Sequence, residues 1–466
     1  MFITMAIVFV LGYLAIALEH NIHVDKAASA LITGIVTWTL LVLGMQEIIA
    51  FDSIPHYIAD YIQGHDGELD QKTFISHYVT EYQILHHLSE IASILFFLLG
   101  AMTIVEMVDS HNGFAIITDR ITTTKKTTLL WIISFITFFL SALLDNLTTS
   151  IVMVSLLRKL IGDKQDRWIY AGIVVIAANA GGAWSPIGDV TTTMLWIGEQ
   201  VSTASLISHL FVPSVLALLV PVLVLTFTMK GEVNKPEKAG DLHDHPPLPR
   251  KEQITVLALG LGGLIFVPIF KTVTHLPPFM GMMLSLGVLW FVTDLMHRHK
   301  AQNVRKNLGV IGVIRKIDSA SILFFLGILL AVAALQTAGH LAIVAGGLDQ
   351  AFGTDKPSGI YAISIIIGLL SAIVDNVPLV AGAMGMYPLQ ASGFFATDGL
   401  FWQFLAYTAG TGGSVLIIGS AAGVAVMGLE KIDFVWYLKK ISLLALLGYF
   451  AGAIVYILQA TYLFNG

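Results

Sequence analysis

Cysteine is absent from the 466 residues, which excludes disulfides, thiol catalysis and thiolate metal sites. Charge is scarce too: Asp, Glu, Lys and Arg make up 12% of the chain, against 56% hydrophobic residues. With a mean hydropathy of +0.80, too little polar surface exists to enclose a water-soluble globule of this length. The chain is expected to live in lipid. A net charge of −6 is slight for this size and argues against nucleic acid as a partner. What the sequence does have is long apolar runs, near residues 2–18, 27–45, 88–108, 207–229, 253–270, 279–296, 319–339 and 441–462. Each approaches the roughly 20 residues that a helix needs to cross the hydrocarbon core, so at least eight spans are expected. The first run has no Lys or Arg before Glu19 and no small-residue cleavage site, and reads as a retained helix rather than a signal peptide.

Within these apolar stretches one phrase occurs twice, as Ser-Ala-Leu-Leu-Asp-Asn at Ser141 to Asn146 and as Ser-Ala-Ile-Val-Asp-Asn at Ser371 to Asn376. A carboxylate inside a membrane segment is costly and points to an ion or substrate path. The duplication extends further. Ala92 to Leu98 and Ala320 to Leu326 are identical at an offset of 228, the Asp-Asn pair stands at 230, and Gly181-Gly182 aligns with Gly412-Gly413 at 231. Three blocks at nearly one offset define two halves, 1–229 and 253–466, joined by a charged, proline-containing linker at 230–252 that is expected to be cytoplasmic.

Basic residues fix the orientation, because cytoplasmic loops retain positive charge. If segments 19–26, 111–126, 158–167, 230–252, 297–318 and 430–440 are cytoplasmic, they hold 22 of the 25 Lys and Arg residues, leaving Lys72, Lys271 and Lys356. The apolar stretch 127–157 then has cytoplasmic flanks at both ends and cannot be a single crossing. A re-entrant helical hairpin is expected there, with arms of about 14 residues reaching about 20 Å and Asp145 at its tip. The second copy, 359–386, has almost no basic flank and should enter from outside. In each half a glycine-rich polar block, Asn179 to Asp189 and Thr408 to Ser414, should break the following crossings, 168–198 and 401–429. The expectation is an all-α polytopic membrane protein with inverted-topology repeats, each containing a re-entrant hairpin and a broken helix.

Three stretches carry a family likeness: Phe97-Leu-Leu-Gly-Ala-Met-Thr-Ile-Val-Glu106, Asp145-Asn-Leu-Thr-Thr-Ser-Ile-Val-Met153 with Leu156 to Leu160, and Ala178 to Met194. They closely resemble the NhaD-type sodium/proton antiporters of the ion transporter superfamily, over nearly the whole chain. The resemblance implies exchange of Na⁺ or Li⁺ for H⁺, the two-hairpin inverted-repeat fold, residence in the plasma (inner) membrane, no cofactor, no enzymatic activity and a homodimer. By the same resemblance Asp145, Asn146, Asp189, Thr191, Thr192, Asp375 and Asn376 occupy the functional motif positions.

The residue chemistry agrees. Na⁺ is a hard cation that seeks oxygen ligands. Asp145 and Asp375 supply charge, Asn146 and Asn376 amide oxygens, and Ser141 and Ser371 lie four residues before the aspartates, on the same face of a helical arm. Thr148 and Thr149 add hydroxyls in the first half, where the second has Pro378 and Leu379. Asp189, opposite Ser420 in the repeat, is either a third carboxylate of the site, a helix N-cap, or both. The first tip is therefore expected to hold the cation and the second to gate it. Glu90 and Glu106 bracket one helix as candidates for proton access. Exchange follows from competition: a proton neutralises the site and Na⁺ leaves. Two rivals share the architecture or the aspartates. A carrier of a dicarboxylate or oxyanion would set its anion against like charge, and an intramembrane aspartyl protease would need a surrounding motif the Asp-Asn pairs lack.

Overall fold

The computed structural model describes residues 1–51, 54, 58, 59, 62, 64, 69–118, 120–234 and 248–463. Among these the chain is helical, with no strand. In order the main helices are α1 (Phe2–Ala17), α2 (Lys26–Ile48), α3 (Ile84–Ser110), α4 (Lys126–Leu144), α5 (Asn146–Leu160), α6 (Lys164–Gly182), α7 (Val190–Ile197), α8 (Thr203–Thr228) and α9 (Arg250–Thr274). They continue as α10 (Pro278–His297), α11 (Ser319–Thr337), α12 (His340–Phe352), α13 (Pro357–Leu370), α14 (Asn376–Met386), α15 (Leu400–Gly412), α16 (Ala421–Glu430), α17 (Phe434–Lys440) and α18 (Ser442–Tyr462).

Eight helices among the described residues are long and apolar enough to cross a membrane. The number matches the expectation, but the membership does not. The first run forms a helix of only 16 residues, Phe2–Ala17, too short to count. Its place is taken by α4, which runs for 19 residues because the helix starts at Lys126 itself. The arms beside Asp145 are thus 19 and 15 residues long rather than about 14. Most of the expected linker, residues 235–247, lies outside the described residues.

The chain forms two compact units that cut across the two halves. The first comprises Met1–Leu95, Asp318–Ala351 and Ala381–Pro388; the second comprises Phe96–Ile317, Phe352–Val380 and Leu389–Gly466. In the first unit α2 packs on α11 through small residues. A Cβ on Gly34 would stand 2.5 Å from the Gly327 carbonyl oxygen, and one on Gly327 2.5 Å from the Ala30 carbonyl carbon, so the two backbones touch. Asp25 and Asp318 cap the two helices by accepting from the backbone N–H groups of Ala27 and Ser321.

The second unit holds α4 to α10, α13 and α15 to α18, and its core is α6 and α15, most of whose residues are buried. Pro221 in α8 has no N–H to give to the carbonyl of Ala217 four residues earlier. Gly448 of α18 comes against that carbonyl, so closely that a Cβ there would stand 2.1 Å from the oxygen. Both ends of the α4–α5 pair meet one short segment. Lys126 N–H donates to the Gly231 carbonyl at 3.0 Å, Val233 N–H to Thr124 at 2.8 Å, and Gly162 N–H to Asn234 at 2.7 Å. Helices α5 and α16 are joined at their C-termini by Glu430, whose side chain is 1% exposed and accepts from Arg158 Nε at 2.7 Å and Arg167 Nε at 2.6 Å.

Candidate ion-binding site

The helices are interrupted at both glycine-rich blocks. Helix α6 stops at Gly182 and α7 starts at Val190; α15 stops at Gly412 and α16 starts at Ala421. Glycine is required where each break meets the neighbouring helix. A Cβ on Gly181 would stand 2.1 Å from the Phe138 carbonyl oxygen, and one on Gly412 2.0 Å from that of Gly368. Gly188 likewise abuts the carbonyl of Ser141, and Gly419 those of Ser371 and Ala372. The serines complete the match: Ser141 Oγ donates to the Ala178 carbonyl at 2.6 Å and Ser371 Oγ to the Ala409 carbonyl at 2.9 Å. Their first task is to pin the segment ahead of each Asp-Asn pair to a break. Ser371 does so from the C-cap of α13, just beyond the helix, because a turn separates it from Asp375.

The break between α4 and α5 is a single residue, Asp145, at φ 115° and ψ 160°. That region suits glycine, and a side chain held there costs on the order of 1–3 kcal/mol, a strain that collects at functional sites. The carboxylate offsets part of it by capping α5: Oδ1 accepts from Thr148 N–H at 2.7 Å and Oδ2 from the Thr148 hydroxyl at 2.8 Å. Thr149, in the same first turn, is fully buried, and its hydroxyl makes no hydrogen bond. At the second tip Asp375 Oδ1 accepts from Val377 N–H at 3.2 Å, and Asp375 keeps an ordinary negative φ.

The carboxylate at the centre is Asp189, only 1% exposed. Its Oδ1 accepts from the backbone N–H and the hydroxyl of Thr191, both at 2.9 Å, capping α7. Its Oδ2 accepts from Asn146 Nδ2 at 2.7 Å, and both oxygens accept from Asn376 Nδ2 at 3.4 Å. The two repeated asparagines therefore converge on one carboxylate, which Asp375 and Asp145 also face as like charges. Asp189 is both cap and hub. Thr192 turns elsewhere, its hydroxyl donating to the carbonyls of Ser185 at 2.7 Å and Asp189 at 2.9 Å.

Three residues of this network escape sequence reasoning. Asn179 accepts from Asn146 Nδ2 at 3.0 Å and donates to the hydroxyls of Ser414 at 2.9 Å and Ser420 at 3.0 Å, crossing from one break to the other. The signal was in view, since Asn179 opens the first glycine-rich block, Ser414 closes the second and Ser420 follows it. Membrane serines, however, so often bond only to backbone that position alone does not single them out. Ser420 caps α16 as Asp189 caps α7.

Four helix N-termini, those of α5, α7, α14 and α16, begin at residues of this network. Each carries about half a positive charge, which makes three carboxylates in one apolar region tolerable. The remaining candidates have other partners. Glu106 accepts from the Ser110 hydroxyl at 3.0 Å on α3. Glu90 belongs to the first unit, is 59% exposed, and pairs with His86 and His87 at 3.5 Å.

The profile of the family described as CitMHS, citrate transporter, matches residues 13–410. Sodium/proton antiporter 1 of Arabidopsis thaliana is 44% identical over 98% of this chain and 72% of its own length, and sodium/proton antiporter 2 of the same plant 43% identical over 97% and 98%. The Na⁺/H⁺ antiporter NhaD of Alkalimonas amylolytica is 30% identical over 97% of this chain and 89% of its own length. Family and relatives are transporters, and with eight candidate spans the protein is an integral multi-pass membrane protein. The chain belongs to the citrate transporter family and, within it, to the NhaD-type sodium/proton antiporters.

Proposed function

We propose that this protein exchanges Na⁺ for H⁺ across the membrane at the cluster built on Asp189. The observation that carries the reading is the convergence of Asn146 and Asn376, one from each half, on one buried carboxylate faced by Asp145 and Asp375. With no cation bound, the amide N–H groups satisfy the Asp189 oxygens. The asparagine carbonyl oxygens and the unpaired Thr149 hydroxyl, with the aspartates, are the hard donors that a sodium ion needs. Proton and cation compete for the same oxygens, so loading one expels the other. Citrate, for which the family profile is named, would have to sit among three carboxylates, and the relatives' names favour cation exchange.

On this reading the site works by alternating access between inverted repeats. The matched contacts of Ser141 with Ala178 and of Ser371 with Ala409, and of Gly188 and Gly419 with the preceding hairpins, support the repeat. The bonding of Lys126 and Gly162 to the single segment Gly231–Asn234 supports a first hairpin that returns to the side it entered from. We extend the reading to Li⁺ as a second substrate, to the plasma (inner) membrane as the location, and to a homodimer.

The test is Na⁺-driven proton movement in proteoliposomes. Asp189→Asn and Asp145→Asn should each reduce the rate at least a hundredfold with the protein still folded. Undiminished exchange in both would sink the assignment. Labelled citrate or dicarboxylate uptake in the same vesicles should stay at background.

A further inference from the structure

The two breaks are built from similar sequence, yet they hold themselves together differently. In the first, the helix that follows supplies its own hydroxyls: Thr192 Oγ1 donates to the Ser185 carbonyl at 2.7 Å, and Thr193 Oγ1 to the Pro186 carbonyl at 2.9 Å. Ser185 adds a bond to the Ala142 carbonyl of the adjoining hairpin at 2.5 Å. At the repeat offset of 231 these threonines become Gly423 and Val424, and Ser185 becomes Leu416. None of the three can donate. Nor is there room for a hydroxyl at Gly423, where a Cβ would stand 2.1 Å from the Ile417 carbonyl oxygen. The carbonyls of an interrupted helix in a buried place need donors from somewhere.

The Leu416 carbonyl, counterpart of that of Ser185, accepts from the Gly419 N–H at 3.0 Å, whereas the Ser414 carbonyl takes its donor from a different helix. Tyr437, in the middle of α17 and fully buried, gives its hydroxyl to the Ser414 carbonyl at 2.8 Å. Ser414 is also the residue whose side-chain oxygen accepts from Asn179, and Asn179 in turn holds Asn146 against Asp189. We propose that Tyr437 is a positioning residue for cation binding. It fixes the second break from outside, doing for Ser414 what Thr192 and Thr193 do within the first break, and so sets where Ser414, Asn179 and Asn146 stand when the ion arrives. The inference rests on the reading of the Asp189 cluster as the cation site. Tyr437 does not touch the ion; its effect passes through Ser414.

The experiment compares Tyr437→Phe with Tyr407→Phe in proteoliposomes, following proton movement as Na⁺ is varied. Tyr407 is equally buried, and its hydroxyl also bonds one backbone carbonyl, that of Tyr449 at 2.8 Å on α18. Each variant loses a single buried hydroxyl, so each should lose similar thermal stability in detergent. Only Tyr437→Phe should raise the half-saturating Na⁺ concentration, by about fivefold for one neutral hydrogen bond, with its maximal rate within twofold of the parent. Equal Na⁺ dependence in the two variants overturns the proposal, as does a Tyr437→Phe protein whose maximal rate falls while its half-saturation stays put. Asp189→Asn, run alongside, separates the two readings. If it abolishes exchange and Tyr437→Phe is silent, only the positioning role fails; if it is silent as well, the site itself is wrong.

Discussion

At the scale of single residues, the site is a problem in burying negative charge. Asp189 is enclosed and tied to two amides and a helix N-terminus, whereas Asp145 and Asp375 are only half-buried. On the proposed reading the hub is Asp189 rather than either repeated aspartate, and the cation meets a cluster between tip and break, where the sequence suggested a first tip that holds it and a second that gates it. Sequence made Asp145, Asn146, Asp189, Asp375 and Asn376 legible because polar side chains in apolar runs demand a reason. It left Asn179, Ser414 and Tyr437 unmarked because an amide, a hydroxyl or a phenol in a membrane often has only a packing role. A separate titration belongs to His111, which opens the turn after α3. Burial pushes its imidazole down from 6.5 to about 4, helped by the nearby His297 and Lys300 and opposed by its bond to the Met107 carbonyl. The unfolded chain takes the proton first, so stability should fall as pH drops from about 6.5 to 4 and level off below. Melting in detergent across that range should show the fall, and His111→Gln should flatten it; an unchanged slope would remove His111 as its source.

At the scale of elements, the helices of the second unit are held by backbone approach where glycine permits it and by one buried ion cluster. Gly181→Ala and Gly448→Val should each lower the melting temperature, by the equivalent of about 1–3 kcal/mol for a clash that neighbouring helices must move to relieve. A surface glycine such as Gly262, where a Cβ meets nothing within 4 Å, should tolerate alanine. Replacing both Arg158 and Arg167 by Met leaves Glu430 buried and unpaired, which should destabilise by about 3–5 kcal/mol; retained melting with both arginines gone would contradict this. Element boundaries were mostly legible: the helix breaks follow from glycine-rich blocks, and the apolar runs became helices. The reach of α4 to Lys126 was not, because its polar first turn is held by tertiary partners. Lys126 pairs with Asp166 at 2.7 Å, and Tyr170 donates to the Lys126 carbonyl. Glu430 was illegible for the same reason, its partners lying 272 and 263 residues away in the chain.

At the scale of the whole molecule, the proposed transport is a competition between two kinds of charge for one set of oxygens. The sequence halves describe how the chain is repeated, while the two compact units describe what is packed with what, and the Asp189 cluster draws on both halves inside a single unit. If two protons exchange for each Na⁺, every cycle moves net charge, and the membrane potential acts on it with about 2.3 kcal/mol per charge per 100 mV. An imposed potential should then change the exchange rate in proteoliposomes; a rate indifferent to potential would require one proton per ion. The central claim is that proton and sodium displace each other at Asp189, and the most direct test is calorimetric titration of the purified protein with NaCl in buffers of different ionisation enthalpy. The account predicts saturable Na⁺ binding that releases protons into the buffer and disappears in Asp189→Asn. Binding without proton release, or binding that survives that substitution unchanged, would contradict it.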